Sequence, residues 1–188
     1  MESLRGVKKM DAQTNVTSTG QKIRTVDITV TAAMAALVFL GTYIFKIPTI
    51  SGYVHLGDCM ILLTVALFGM KKGAIAGAIG GGLSDFIGGY FYWVVPTLLI
   101  KCMWAIVMGL IMHKVLKDKK GSFLIGAIAG GVLHIIAYTL VRVVLYGGKT
   151  AIIEIPALAF QTGAGIVIGF VIYMLLKKSG VAGRLSGM

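Results

Sequence analysis

Long apolar runs separated by short polar breaks dominate the chain. A membrane-spanning helix needs about 20 mostly apolar residues, and six stretches meet or approach that length. They run from about Val26 to Phe45, Leu56 to Met70, Gly73 to Tyr92, Pro96 to Leu116, Phe123 to Tyr146 and Ile152 to Leu176. The second is short and follows a polar loop containing Pro48 and Gly52. The pattern predicts an all-α membrane protein, a bundle of six transmembrane helices over residues 25–178. A polar tail over 1–24 precedes it and a short tail over 179–188 follows. No apolar core occurs before Val26, so the start does not read as a signal peptide. Six spans leave no room for a second domain, and no internal repeat halves the chain.

Composition narrows the class. Hydrophobic residues make up 57% of the chain and charged residues 13%, with a mean hydropathy of +0.89. Typical soluble chains carry about 25% charged residues, so a soluble globular domain, a disordered chain and a disulfide-stapled secreted domain are all excluded. The formal net charge is +11, but a nucleic-acid-binding domain would not be this apolar. Position explains the charge. Arg5, Lys8, Lys9, Lys22 and Arg24 precede the first span, and Lys71 and Lys72 separate the second from the third. Lys114, Lys117, Lys119 and Lys120 lie between the fourth and fifth, and Lys177, Lys178 and Arg184 follow the sixth. These 14 of 18 basic residues fall on one set of alternating connections, while the other set holds Lys46 and Lys149. By the positive-inside rule both termini are expected in the cytoplasm. The cluster from Gly88 to Trp93, with Tyr146, fits an aromatic belt at the outer interface.

Ionisable groups within a span cost on the order of 2.5–3.5 kcal/mol at the helix centre on insertion scales, so each needs a reason. Asp58, Asp85, Lys101, Arg142 and Glu154 remain once the loops are assigned, together with neutral His134 and Gln161. His134, Tyr138 and Arg142 recur every four residues along one helix face, Glu154, Leu158, Gln161 and Gly165 form a similar stripe, and Lys101 shares a face with Trp104. A small outward-facing cavity between the fourth, fifth and sixth spans follows. It would suit a small aromatic solute bearing hydroxyl groups. Internal ion pairs are the alternative for the same residues, Asp85 with Lys101 and Arg142 with Glu154 among them.

Small residues repeat every four positions at Gly73, Gly77 and Gly81, at Gly126 and Gly130, and at Gly165 and Gly169, which marks faces where helices approach closely. Ala32 and Ala36 form a flat face near the cytoplasmic half of the first span, suited to packing in the bundle or to a partner membrane protein. Cys59 and Cys102 lie singly in apolar surroundings, so neither a disulfide framework nor a metal site is expected. The phosphate-loop, H-E-x-x-H and G-x-S-x-G motifs do not occur. A non-catalytic protein without a cofactor is expected.

Taken in order, several segments resemble the substrate-binding S component of an energy-coupling factor (ECF) vitamin transporter. They are Ala32, Met34 and Ala36 in the first span, His55-Leu-Gly-Asp58 at the start of the second, and Phe68-Gly-Met-Lys-Lys-Gly-Ala-Ile-Ala-Gly77. Leu83-Ser-Asp85 with Gly89-Tyr90, and Pro96-Thr-Leu-Leu-Ile-Lys101, complete the series. The series is most similar to the branch with hydroxymethylpyrimidine, pyridoxine and riboflavin-type members. That resemblance implies a transmembrane T component and two cytoplasmic ATPases as partners, which would supply the energy. It implies docking of the T component on Ala32 and Ala36, and an outer loop around Ile50 to His55 that closes over substrate. Lys101, Trp104, Tyr138, Arg142, Glu154, Gln161 and His55 are then the expected substrate contacts. A thiamine-precursor pyrimidine or pyridoxine suits them, with riboflavin as a larger alternative. A self-sufficient secondary carrier, or a scaffold subunit without ligand, would be the other classes.

Overall fold

The computed structural model describes residues 24–186. Most of the N-terminal tail, residues 1–23 with four of its five basic side chains, lies outside the described residues, as do 187–188. Helix α1 spans Thr25–Tyr43. The connection after it carries a two-residue hairpin of β1, Ile47–Pro48, and β2, Tyr53–Val54, with Ile47 opposite Val54. Helix α2 covers Asp58–Phe68, α3 Met70–Ile87 and α4 Phe91–Gly109. A π-helical turn at Leu110–Val115 continues α4. Helix α5 spans Ser122–Tyr146, α6 Gly148–Lys178 and the short α7 Val181–Ser186.

Each apolar run is thus a helix, but not six helices of equal standing. Among the described residues, four helices have the length and apolarity to cross a membrane: α1, α4 with its π turn, α5 and α6. Helix α2 has 11 residues, about 16 Å at 1.5 Å per residue, where the sequence predicts a span from Leu56 to Met70. All but Met60, Ala66 and Phe68 of its residues are buried. It is apolar because it is a core element enclosed by the other helices, and an apolar run of that length reads the same from sequence either way. Helix α3 is 18 residues long but begins Met-Lys-Lys and carries five glycines, which dilutes its hydropathy.

Burial is arranged for a lipid surround. Large apolar side chains point outward along the long helices, among them Ile28, Leu99, Ile128, Leu140, Phe160 and Val171. Meanwhile Asp58, Lys101, His134, Arg142, Glu154 and Gln161 are buried. A chain folding in water would not expose apolar groups so continuously. In hydrocarbon the outer face has no reason to be polar, and the polar side chains gather where they can satisfy one another.

The glycine stripes do the close packing. A Cβ on Gly73 would fall 2.4 Å from the Val65 side chain and one on Gly77 3.0 Å from Ile61, so that face of α3 lies flush on α2. On Gly130 it would fall 2.3 Å from Trp104, where α5 meets α4. Gly81 makes room for a charge, since a Cβ there would lie 2.6 Å from Cδ of Lys101. Gly69, at φ 90°, and Gly147, at φ 83°, allow the chain to leave α2 for α3 and α5 for α6 with one residue between. Ala32 and Ala36 are both exposed, while Ala35 and Val38 carry the inward face of α1 against Gly80.

Candidate functional site

The buried polar side chains converge at one end of the bundle, beneath the hairpin. The strongest pair joins α2 to α4: Lys101 Nζ donates to Asp58 Oδ1 at 2.5 Å, with both side chains excluded from solvent. Gln161 on α6 donates from Nε2 to the other Asp58 oxygen at 2.7 Å and accepts the His55 backbone N–H at 3.3 Å. Lys101 therefore pairs with Asp58, not with Asp85 as the sequence suggests. Asp85 instead accepts a hydrogen bond from the Tyr53 phenol. Position 58 opens α2 at the depth of Lys101, and no periodicity within one helix relates the two.

His55 lies in the connection before α2, above this pair. Its Nδ1 faces the Gly57 N–H at 3.1 Å and its Nε2 the Lys101 ammonium at 3.2 Å. Burial, reinforced by the Lys101 charge, pushes its pKa down to about 3, so the ring is neutral. A neutral imidazole accepts at one nitrogen only, so it can serve Gly57 or Lys101 but not both. Nearby, Thr162 donates to the Leu158 carbonyl at 2.8 Å and so accepts from His134 Nδ1 at 3.1 Å, which leaves His134 Nε2 without a partner among the described residues.

The hairpin is tied down by polar contacts to the bundle. Glu154 of α6 accepts from Thr49 Oγ1 at 3.0 Å and from the Ser51 N–H at 2.8 Å, and its carboxylate lies 3.5 Å from Arg142 Nη2. Arg142 Nε donates to Ser51 Oγ at 3.2 Å. Trp93 Nε1 lies 3.2 Å from the Ser51 carbonyl and 3.1 Å from the Tyr146 hydroxyl. The guanidinium sits 5.2 Å from the Trp93 ring and 5.9 Å from that of Tyr138, within cation–π range. Trp93 and Tyr138 stack at 5.6 Å, and Tyr138 donates to Thr97 Oγ1 at 2.9 Å. Lys46, at the foot of the hairpin, donates to the Ser84 carbonyl at 3.2 Å and lies 4.4 Å from the Tyr53 ring.

These groups enclose a cavity of about 30 Å³, lined by Gly52, Tyr53, His55, Asp85, Trp93, Thr97, Lys101, Tyr138, Arg142, Leu158 and Gln161. At roughly 10–15 Å³ per water, it holds about two water molecules. Five of the seven substrate contacts expected from the sequence meet there: His55, Lys101, Tyr138, Arg142 and Gln161. Glu154 is not in the lining and acts on it through Arg142 and the hairpin. Trp104 is not in the lining either. Fully buried, it donates to the Ala127 carbonyl at 3.2 Å and packs 4.3 Å from the His134 ring. The aromatic wall is supplied by Trp93, which the sequence assigns to an interfacial belt. A signal for it exists, since Trp93, Thr97 and Lys101 recur at four-residue spacing on one face of α4. Asp85, Tyr53 and Gly52 also line the cavity, and no pattern along the chain joins them to it. Among the described residues no cluster of His, Cys, Asp and Glu could hold a metal ion.

A multi-pass helical membrane protein with a small polar and aromatic cavity under a tethered loop has the architecture of the solute-binding membrane proteins. The particular family follows from comparison with known proteins: residues 22–178 match the model for the S component of the ECF-type riboflavin transporter, and the chain belongs to that family. It is also similar to a Pyrococcus woesei protein named only as an uncharacterized protein in the gap 3′ region. The two are 36% identical over 132 residues, which is 70% of this chain and 87% of that relative. The chain is accordingly a membrane-embedded transporter subunit of the ECF S-component type.

Proposed function

We propose that the protein captures a small hydroxylated nitrogen heteroaromatic, a hydroxymethylpyrimidine or a pyridoxine-like vitamin, on the outer side of a bacterial plasma membrane. It then delivers this ligand inward with an ATPase-driven T component. The observation that carries this reading is the convergence of His55, Lys101, Tyr138, Arg142 and Gln161 with Trp93 on one cavity. Flat aromatic faces offer stacking, and the polar groups between them offer both donors and acceptors to ring substituents. The cavity in this structure has room for about two waters, so either ligand requires it to widen, a single ring by less than a three-ring flavin. Riboflavin is the second reading, favoured by the description of the matching family. With both termini cytoplasmic, Ala32 and Ala36, exposed on α1, present a flat face to the T component, and two cytoplasmic ATPases drive the cycle.

Mass spectrometry of small molecules released from the purified protein tests the substrate directly, followed by equilibrium binding of the labelled compound. A single-ring hydroxylated heteroaromatic is expected. Riboflavin alone would favour the second reading, and no vitamin bound more tightly than millimolar would overturn both. Uptake into liposomes by this chain alone, without ATPases, would make it a self-sufficient carrier instead.

A further inference from the structure

The carboxylates around the cavity differ in one respect. Asp58 has both oxygens engaged, by Lys101 at 2.5 Å and Gln161 at 2.7 Å. Glu154 is likewise engaged at both, by Ser51 at 2.8 Å on one oxygen and Thr49 at 3.0 Å on the other. Asp85 is 3% exposed and engaged at one: its Oδ1 accepts from the Tyr53 phenol, and its Oδ2 has no hydrogen-bond partner among the described residues. Thr97 faces the same carboxylate; its hydroxyl accepts the Tyr138 proton at 2.9 Å and keeps its own proton to donate, but Oδ2 has no partner within hydrogen-bond distance among the described residues. Lys46 is half-buried and committed to the Ser84 carbonyl at 3.2 Å.

A buried carboxylate oxygen without a donor is costly, and this one belongs to a side chain that lines the cavity. A second bare group belongs to another lining residue, Arg142 Nη1. The site thus has one acceptor and one donor unused, on α3 and on α5. A ligand that carried a donor at one edge and an acceptor at another would satisfy both. We propose that Asp85 is a specificity-determining contact of the site, its free Oδ2 accepting a hydrogen bond from an amino or hydroxyl group borne on the ligand ring. The inference deepens the vitamin-binding reading above and rests on it. Asp58, equally buried and closer to Lys101, is by the same count of partners a structural group rather than a ligand contact.

The experiment measures binding of two matched pairs to the purified full chain. One pair is hydroxymethylpyrimidine and its analogue lacking the ring amino group. The other is pyridoxine and its analogue lacking the ring hydroxyl. A site that hydrogen-bonds a substituent rejects the analogue without it, because its own buried group is left bare. The wild-type protein should prefer the parent over the analogue by roughly 10- to 100-fold in the pair it binds. Asp85→Ala should bind the parent weaker by a similar factor and lose the preference to within about twofold. Asp85→Asn, close in shape and still bearing an acceptor oxygen, should retain part of the preference and unfold at a temperature near that of wild type. Equal weakening of parent and analogue in both variants, with the wild-type ratio kept, would overturn the assignment of Asp85 alone. Wild-type protein that bound none of the four compounds would overturn the single-ring reading, and this contact with it.

Discussion

Replacing Lys101 by methionine keeps the length of the apolar stem and removes the ammonium, one charge of the Asp58–Lys101 pair. At 2.5 Å and an effective dielectric constant of 20, the attraction between unit charges is about 7 kcal/mol. Taking each ion out of water costs several kcal/mol, so the intact pair contributes little net stability. Breaking it is a different matter. Asp58 would keep the Gln161 donor at 2.7 Å but lose the counter-ion it holds within hydrogen-bonding distance, and an uncompensated buried charge costs about 3–5 kcal/mol. The double variant Asp58→Asn/Lys101→Met removes both charges while leaving an oxygen for Gln161, and should recover to within about 1–2 kcal/mol of wild type. Reversible unfolding in mixed micelles, followed by circular dichroism, measures both. A single variant that loses less than about 1 kcal/mol, or a double variant as unstable as the single, would refute the pairing as the reason these charges lie inside the bundle. Stability is the discriminating readout here, because Lys101 also lines the cavity and its loss weakens ligand binding whatever its partner.

The two tryptophans should separate by assay: Trp104→Ala costs about 3–5 kcal/mol of stability, whereas Trp93→Phe, which removes the indole N–H from the Ser51 carbonyl and so loosens the hairpin, weakens binding of the released ligand about tenfold and costs only about 1 kcal/mol of stability. The opposite assignment would place the cavity at the wrong end of α4. His55 gives a pH dependence with a definite sign. Its folded pKa near 3 lies below the ordinary value of about 6.5, so the unfolded chain binds a proton that the folded state refuses, and stability falls as pH drops from about 6.5 toward 3. His55→Gln should make that fall shallower, and a superimposable unfolding curve would count against the assignment; Lys101 faces the ring at 3.2 Å, and Asp58, His134 and Lys46 act on it electrostatically. Ala32→Trp or Ala36→Trp should abolish ATP-driven uptake with binding unchanged, since both positions are exposed on α1; loss of binding as well would assign that face to the bundle itself.

What could be read from the chain follows from which costs are local. A charge or an amide inside an apolar run is expensive wherever the run goes, so Lys101, Arg142 and Gln161 stand out from the sequence alone, and helical spacing adds Tyr138 beside Arg142. Partner choice is not local. Asp85 is the acidic residue nearest to Lys101 along the chain, yet Gly81 opens space for the Lys101 stem beside α3 and the ammonium reaches α2 instead. The same reasoning separates Trp93 from Trp104: both share a helical face with Lys101, at eight residues before and three after, and only the packing of α5, with Gly130 closed onto Trp104, decides which ring is core. The short α2 is the remaining case, since its apolar pattern records burial without saying whether lipid or protein surrounds it. Where the hairpin meets the bundle, Tyr53 on Asp85 and Ser51 on Glu154 are contacts between segments with no shared period. There the specificity of the site is written in three dimensions, and it is there that a ligand donor has an oxygen left to bind.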